Sequence, residues 1–249
     1  IEQISGRIYH YTSGYPFLVS RVCKEIDEKI IPLRAERNWS VKDVDNAVNN
    51  ITHESNANFS NLAKNLENDK ELSSFVINII LGSKAYEFLL DVPLINIAYE
   101  YGIINNINRM VVVHNKIYQE YLSNYFVIKL KTENTIAEQF YDIVQSSYIK
   151  PDGRLDFEKA LLKFQEVIKE KYSQSDVLKS NEFLEKELRM LFLVFLKPII
   201  NGIGFCFKEV ETGAEKRLDI VVIFRDEKFV VELKLWRGMK YHQQGITRL

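Results

Sequence analysis

Cysteine and proline are scarce: two Cys and five Pro in 249 residues. Cys23 and Cys206 both lie in apolar runs, so they read as reduced core residues of a cytoplasmic protein, and a disulfide framework is excluded. His10, His53, His114 and His242 show no metal-ligand spacing. His114 follows three valines and opens a helix, which suits a capping or core residue. Long apolar runs are missing too. Met190–Leu196 is far too short to cross a membrane and no signal peptide is visible, so no membrane partner is expected. No G-x-x-x-x-G-K-[ST] sequence occurs, so nothing cradles a triphosphate and this chain alone is not expected to hydrolyse ATP. Excess charge is lacking as well: the net charge is −1 and the pI near 6.5, which argues neither for nor against nucleic acid.

What is present is enough for a sizeable core. The chain is 46% hydrophobic and long enough for two or more small domains. It opens on Ile1 and stops soon after a helix begins, so it is expected to be a piece of a longer protein.

The most informative stretch runs from Asp219 to Lys234. Two β-branched runs, 217–224 and 229–236, flank Arg225-Asp226-Glu227-Lys228, a four-residue polar break of hairpin length. Alternation places Arg217, Asp219, Val221 and Ile223 on one strand face, and Val230, Glu232, Lys234 and Trp236 on one face of the next. A hairpin closing at the centre of the break sets Asp219 opposite Lys234, with Glu232 diagonal to both. Charges in a half-buried sheet are costly unless paired or bound to a metal. A salt bridge to Lys234 is the plain reading. The functional one is a site where Asp219 and Glu232 offer hard oxygen ligands to Mg²⁺ or Mn²⁺, and Lys234 positions water or steadies charge on phosphorus. Between Cys206 and Leu249, nine Lys/Arg face seven Asp/Glu, a mildly basic setting.

Asp219…Glu232-Leu-Lys234 resembles the core of the PD-(D/E)XK nuclease superfamily. The wider run from Lys216 to Gly238 is similar to nuclease-like domains at the C-terminus of certain prokaryotic AAA-type ATPases, and Pro151 to Gln165 resembles the segment that precedes that core. Tyr11-Thr-Ser-Gly-Tyr-Pro-Phe-Leu-Val19 resembles the helical lid of AAA-type ATPases, in which this turn lies near the nucleotide. An ordinary helix–turn–helix corner would look much the same. The segment from Glu71 to Tyr121 resembles a winged-helix module, with helices at Glu71–Leu81, Pro93–Tyr101 and Asn115 to about Ile128 and a strand at Met110–Val113. Pro93 to Tyr101 carries no Lys or Arg, so a packing or interaction module is favoured over a DNA reader.

Elsewhere the pattern predicts helices at Ile4–Tyr11, Phe17–Ile31 with Pro16 in its first turn, and from the capping-box-like Ser40-Val-Lys-Asp43 to about Ile51. Further helices are expected at Asn134–Tyr148, Asp156–Tyr172 and Asn181–Leu196. Asp152-Gly153-Arg154-Leu155-Asp156 lacks the ligand pattern of a calcium loop and reads as a turn followed by an N-cap. Gly204–Val210 is a strand with Glu209 near its end. The resemblance implies a further acid from the helix before the sheet. Glu185, on the stripe of Leu188, Phe192 and Phe195, is first choice and Glu187 second. Glu182, Glu185 and Glu187 also suit a helix N-terminus as plain dipole partners. Similar proteins usually show a Gln-Leu in the helix after the sheet, and Arg248 stands at the Gln position here.

The expected architecture is α+β: a helical lid and a winged-helix module followed by a restriction-endonuclease-like α/β core. The divisions are 1–69 (lid), 70–130 (winged-helix-like), 131–180 (helical connector) and 181–249 (nuclease-like, C-terminally truncated). The expected activity is metal-dependent hydrolysis of nucleic-acid phosphodiesters, DNA ahead of RNA. Asp219, Glu232, Lys234 and Glu185 are the catalytic candidates, Asp219 and Glu232 the metal ligands, and Lys216, Arg217 and Arg237 the phosphate contacts. ATP would act only through an upstream ATPase core, and the resemblance allows a homo-oligomer. The rivals are a catalytically silent interaction or regulatory module, and an ATP-driven regulator that senses DNA without cutting it.

Overall fold

A computed structural model of the chain describes residues 2–35, 37–54, 56–81, 85–133, 145–172, 181–200, 203–208, 220–231 and 233. The fold is mixed α+β, mostly helical, with two small antiparallel sheets.

The first body is helical. Helix α1 (Glu2–Thr12) ends at Ser13 and Gly14, both left-handed in φ, and α2 (Pro16–Glu25) restarts with Pro16 in its first turn. The expected helix to Ile31 is α-helical only to Glu25. A π turn over Ile26–Ile30 and a 3-10 turn over Ile31–Leu33 follow, because Pro32 has no N–H to continue the α ladder. Ser40 caps α3 (Val41–His53) in a complete capping box with Asp43, as the spacing predicts. Asn56 caps α4 (Ala57–Asn68) through a 2.9 Å bond from the Phe59 N–H, and α5 (Lys70–Leu81) follows. Then come α6 (Pro93–Glu100), strands β1 (Ile104–Ile107) and β2 (Met110–Val113), and α7 (Lys116–Glu133).

The expected strand at 110–113 thus has a partner that the sequence reading left unassigned. Asn108 and Arg109, with φ of 51° and 65°, form the two-residue turn that joins them. Tyr86 to Phe88 lies alongside through the Phe88 N–H to the Arg109 carbonyl and the Val111 N–H to the Tyr86 carbonyl. Helices on both sides of residue 69, the expected first boundary, share one core: Ile8, Leu18, Val44, Phe59, Leu72, Ile117 and Leu122 all belong to it.

A second core gathers residues 145–172, 190–200 and the second sheet. Residues 134–144 of the expected connector helix lie outside the described residues, and Gln145–Tyr148 is a 3-10 turn. Asp152 accepts from the Arg154 N–H and guanidinium, and Asp156 caps α8 (Phe157–Tyr172) through the Lys159 N–H, so the turn-and-cap reading holds. Helix α9 (Asn181–Ile200) runs past the expected Leu196 and takes Pro198 into its last turn, where only the bond to Val194 is lost. Strands β3 (Gly204–Lys208), β4 (Ile220–Phe224) and β5 (Glu227–Val231) form an antiparallel sheet in chain order.

Candidate active site

The β4–β5 hairpin is tighter than the sequence pattern predicts. Arg225 and Asp226 alone make the turn, Arg225 with a φ of 53°, and Glu227 and Lys228 already belong to β5. The four-residue break predicts Ile220 opposite Leu233; the structure pairs Ile220 with Val231. A shift of two residues leaves every side chain on its expected face, whereas a shift of one would have inverted them all.

Those faces differ in cover. Cys206, Val222, Phe224 and Val231 belong to the core built on α8 and α9, and Phe229 and Leu233 pack against it. Phe205 and Ile223 turn the other way, toward the first helical body, where Phe205 lies 5.9 Å from the Tyr11 ring. On this second face Val221 is buried, but Val230 on the outer strand is 57% exposed. Period-two alternation therefore runs through β5, and its even-numbered positions look outward.

The hairpin tip is clamped by the turn that precedes α8. Phe157 stacks on Phe229 with ring centroids 4.4 Å apart, and Glu227 Oε2 accepts from the Leu155 N–H at 3.0 Å. Arg225 lies against Gly153, whose φ of +82° suits glycine. Residues 151–157 thus fix the hairpin's position.

Of the site residues expected from sequence, Asp219, Glu232, Lys234, Lys216, Arg217 and Arg237 lie outside the described residues, as does Glu209. Asp219 is next in the chain before the first residue of β4, and Glu232 next after the last of β5. Glu185 and Glu187 are in α9, with side chains outside the described set. The stripe assigned to Glu185 packs inward: Leu188, Phe192 and Phe195 meet the core that holds Val222 and Phe224. Among the described residues no group of three His, Cys, Asp or Glu is placed to hold a metal. Hence a cation's fit depends on the donor chemistry of Asp219 and Glu232, two hard carboxylates.

One charged feature near the sheet escaped the sequence reading. Lys197 of α9 and Glu120 of α7 form an ion pair with side chains 8% and 4% exposed. It joins the two bodies beneath β3. Burial drives the nearby Cys206 thiol up to about 12, with Lys197 opposing and Glu120 adding to the shift. A lysine at the end of the apolar run 190–196 was the available signal. His114 is half-buried, its Nδ1 3.0 Å from the Gly102 carbonyl and its ring against Tyr15. Asn115 is the cap of α7, accepting from the Tyr118 N–H at 2.8 Å.

Compared with protein families, curated proteins and solved structures, the chain matches none. No helix among the described residues is long and apolar enough to cross a membrane.

Proposed function

We propose that this chain is the C-terminal part of a prokaryotic AAA-type ATPase bearing a PD-(D/E)XK nuclease domain, and that it hydrolyses DNA phosphodiester bonds with Mg²⁺ or Mn²⁺. One observation carries the reading: a helix leads into a three-stranded antiparallel meander whose last described pair, Ile220 with Val231, is followed outward in the chain by Asp219 and Glu232. The proposal continues that register by one step, which would make the two carboxylates cross-strand neighbours on the face where Val230 is open to solvent. Two carboxylates side by side repel each other unless a cation stands between them.

Asp219 and Glu232 would hold the cation, which supplies activation of water and neutralisation of charge at the phosphate. Lys234, on the same face as Glu232, orients the attacking water and offsets charge developing on phosphorus. Lys216, Arg217 and Arg237 bind flanking phosphates. Glu185 is the least essential of the four, since Leu188, Phe192 and Phe195 of its stripe pack on the sheet face opposite the one assigned to Asp219 and Glu232. ATP binding belongs to the ATPase core proposed upstream, and the hairpin of 104–113 with α6 supports a winged-helix-like module that packs rather than reads DNA.

Mn²⁺ uptake, followed by the loss of the free-ion signal in electron paramagnetic resonance, separates this reading from a silent module. The intact chain is expected to bind Mn²⁺, and Asp219→Asn or Glu232→Gln to weaken binding at least about tenfold. Lys234→Ala should leave binding in place. A chain that takes up no Mn²⁺ would be an interaction module.

A further inference from the structure

The ion pair between α7 and α9 leaves part of its own chemistry unused. Glu120 Oε1 accepts from Lys197, but Glu120 Oε2 is buried and has no hydrogen-bond partner among the described residues. A carboxylate offers about four lone-pair positions, and a buried ion pair is stable only when the remaining ones are met. Asn124 lies one turn further along α7, on the same side of the helix, and its Nδ2 is likewise buried without a partner. An orphaned acceptor and an orphaned donor thus stand one turn apart on the helix that carries the ion pair. The Lys197 ammonium has two protons beyond the one given to Glu120. Unmet buried polar atoms are the exception in folded proteins, and two on one side of one helix call for a shared partner.

Charge and size decide that partner. The carboxylate repels an anion and the ammonium repels a cation, and a metal ion would find a single carboxylate there. The ligand is therefore neutral, and it must both donate to Oε2 and accept from Nδ2. It must also be small. Residues one turn apart have Cβ atoms about 5–6 Å apart, the span of two hydrogen bonds of about 2.8–3.0 Å through one oxygen. We propose that one water molecule is bound at this junction, donating to Glu120 Oε2 and accepting from Asn124 Nδ2 and Lys197 Nζ. Three bonds are the usual complement of a buried water. Val127, two turns beyond Glu120 on α7, and Cys206 of β3 are buried in the second core, which makes the site an internal one. The water belongs to the contact between the two bodies and completes the ion pair.

A crystal structure of the full chain tests this, with thermal denaturation of variants beside it. The expected result is ordered water density within hydrogen-bond distance of both Glu120 Oε2 and Asn124 Nδ2. That density should be gone from the double variant Glu120→Leu with Lys197→Met, which offers the water neither acceptor nor cation. Asn124→Leu should lower the thermal midpoint by about 2–4 °C in the original chain. In the double variant the same change should leave the midpoint where it is or raise it. The proposal is overturned if the junction is ordered and holds no such water, or if a protein group bonds Oε2 or Nδ2 directly. It is equally overturned if Asn124→Leu lowers the midpoint by the same amount in both backgrounds.

Discussion

Asp43 collects four hydrogen bonds at the start of α3, two from Arg34 at 2.9 and 2.7 Å and two from the N–H and hydroxyl of Ser40 at 2.7 and 2.8 Å. Burial acts to raise its carboxyl, but the bonds from Arg34 and Ser40 outweigh it and hold the group below the usual range. A depressed folded value means stability that is present above the unfolded value of about 3.9 and lost as pH falls through the folded one. Asp43→Asn is therefore expected to cost roughly 1–3 kcal/mol at neutral pH, with the deficit shrinking in acid. Urea titrations at several pH values check this; a deficit independent of pH would contradict it. The two thiols give a second prediction at the same scale. Cys206 is 2% exposed and its thiol is pushed to about 12, whereas Cys23 is partly open. A disulfide reagent should label Cys23 in the native protein and Cys206 only on unfolding.

Between elements, two contacts hold the sheet in place. Lys197 and Glu120 tie α9 to α7 in a setting where either charge alone would be stranded. Lys197→Met by itself is expected to destabilise by about 3–5 kcal/mol, and Lys197→Met combined with Glu120→Leu by much less. Chemical denaturation of the single and double variants measures it, and additive losses would refute the pairing. Gly153→Ala should cost about 1–2 kcal/mol, since a Cβ there must adopt a left-handed φ and displace Arg225. Caps and strand faces were legible in the sequence because they depend on neighbours: Ser40 with Asp43, Pro16, Asp156, and the period of two through Val221 and Val230. The hairpin register was not. Glu227 and Lys228 read as turn residues, yet an outer strand tolerates them: Glu227 accepts the Leu155 N–H, from a residue 72 positions away in sequence, and Lys228 is exposed. The pairing of Glu120 with Lys197 was hidden for the same reason, since it depends on tertiary packing.

Across the whole molecule, the α5–α7 region with its hairpin shares a core with the preceding helices, while α8, α9 and the second sheet form another. The β3–β5 meander lies between the two, one face on each. On the face turned to the first core, the described positions Lys228 and Val230 of its outer strand are exposed.

The most direct test of the proposed chemistry is conversion of supercoiled plasmid by the purified chain with Mn²⁺, compared with Asp219→Asn, Glu232→Gln and Lys234→Ala. Nicking or linearisation that requires Mn²⁺ and disappears in all three variants is the expected result. Plasmid left intact by the unmodified chain, or cut equally well by the variants, would contradict the account.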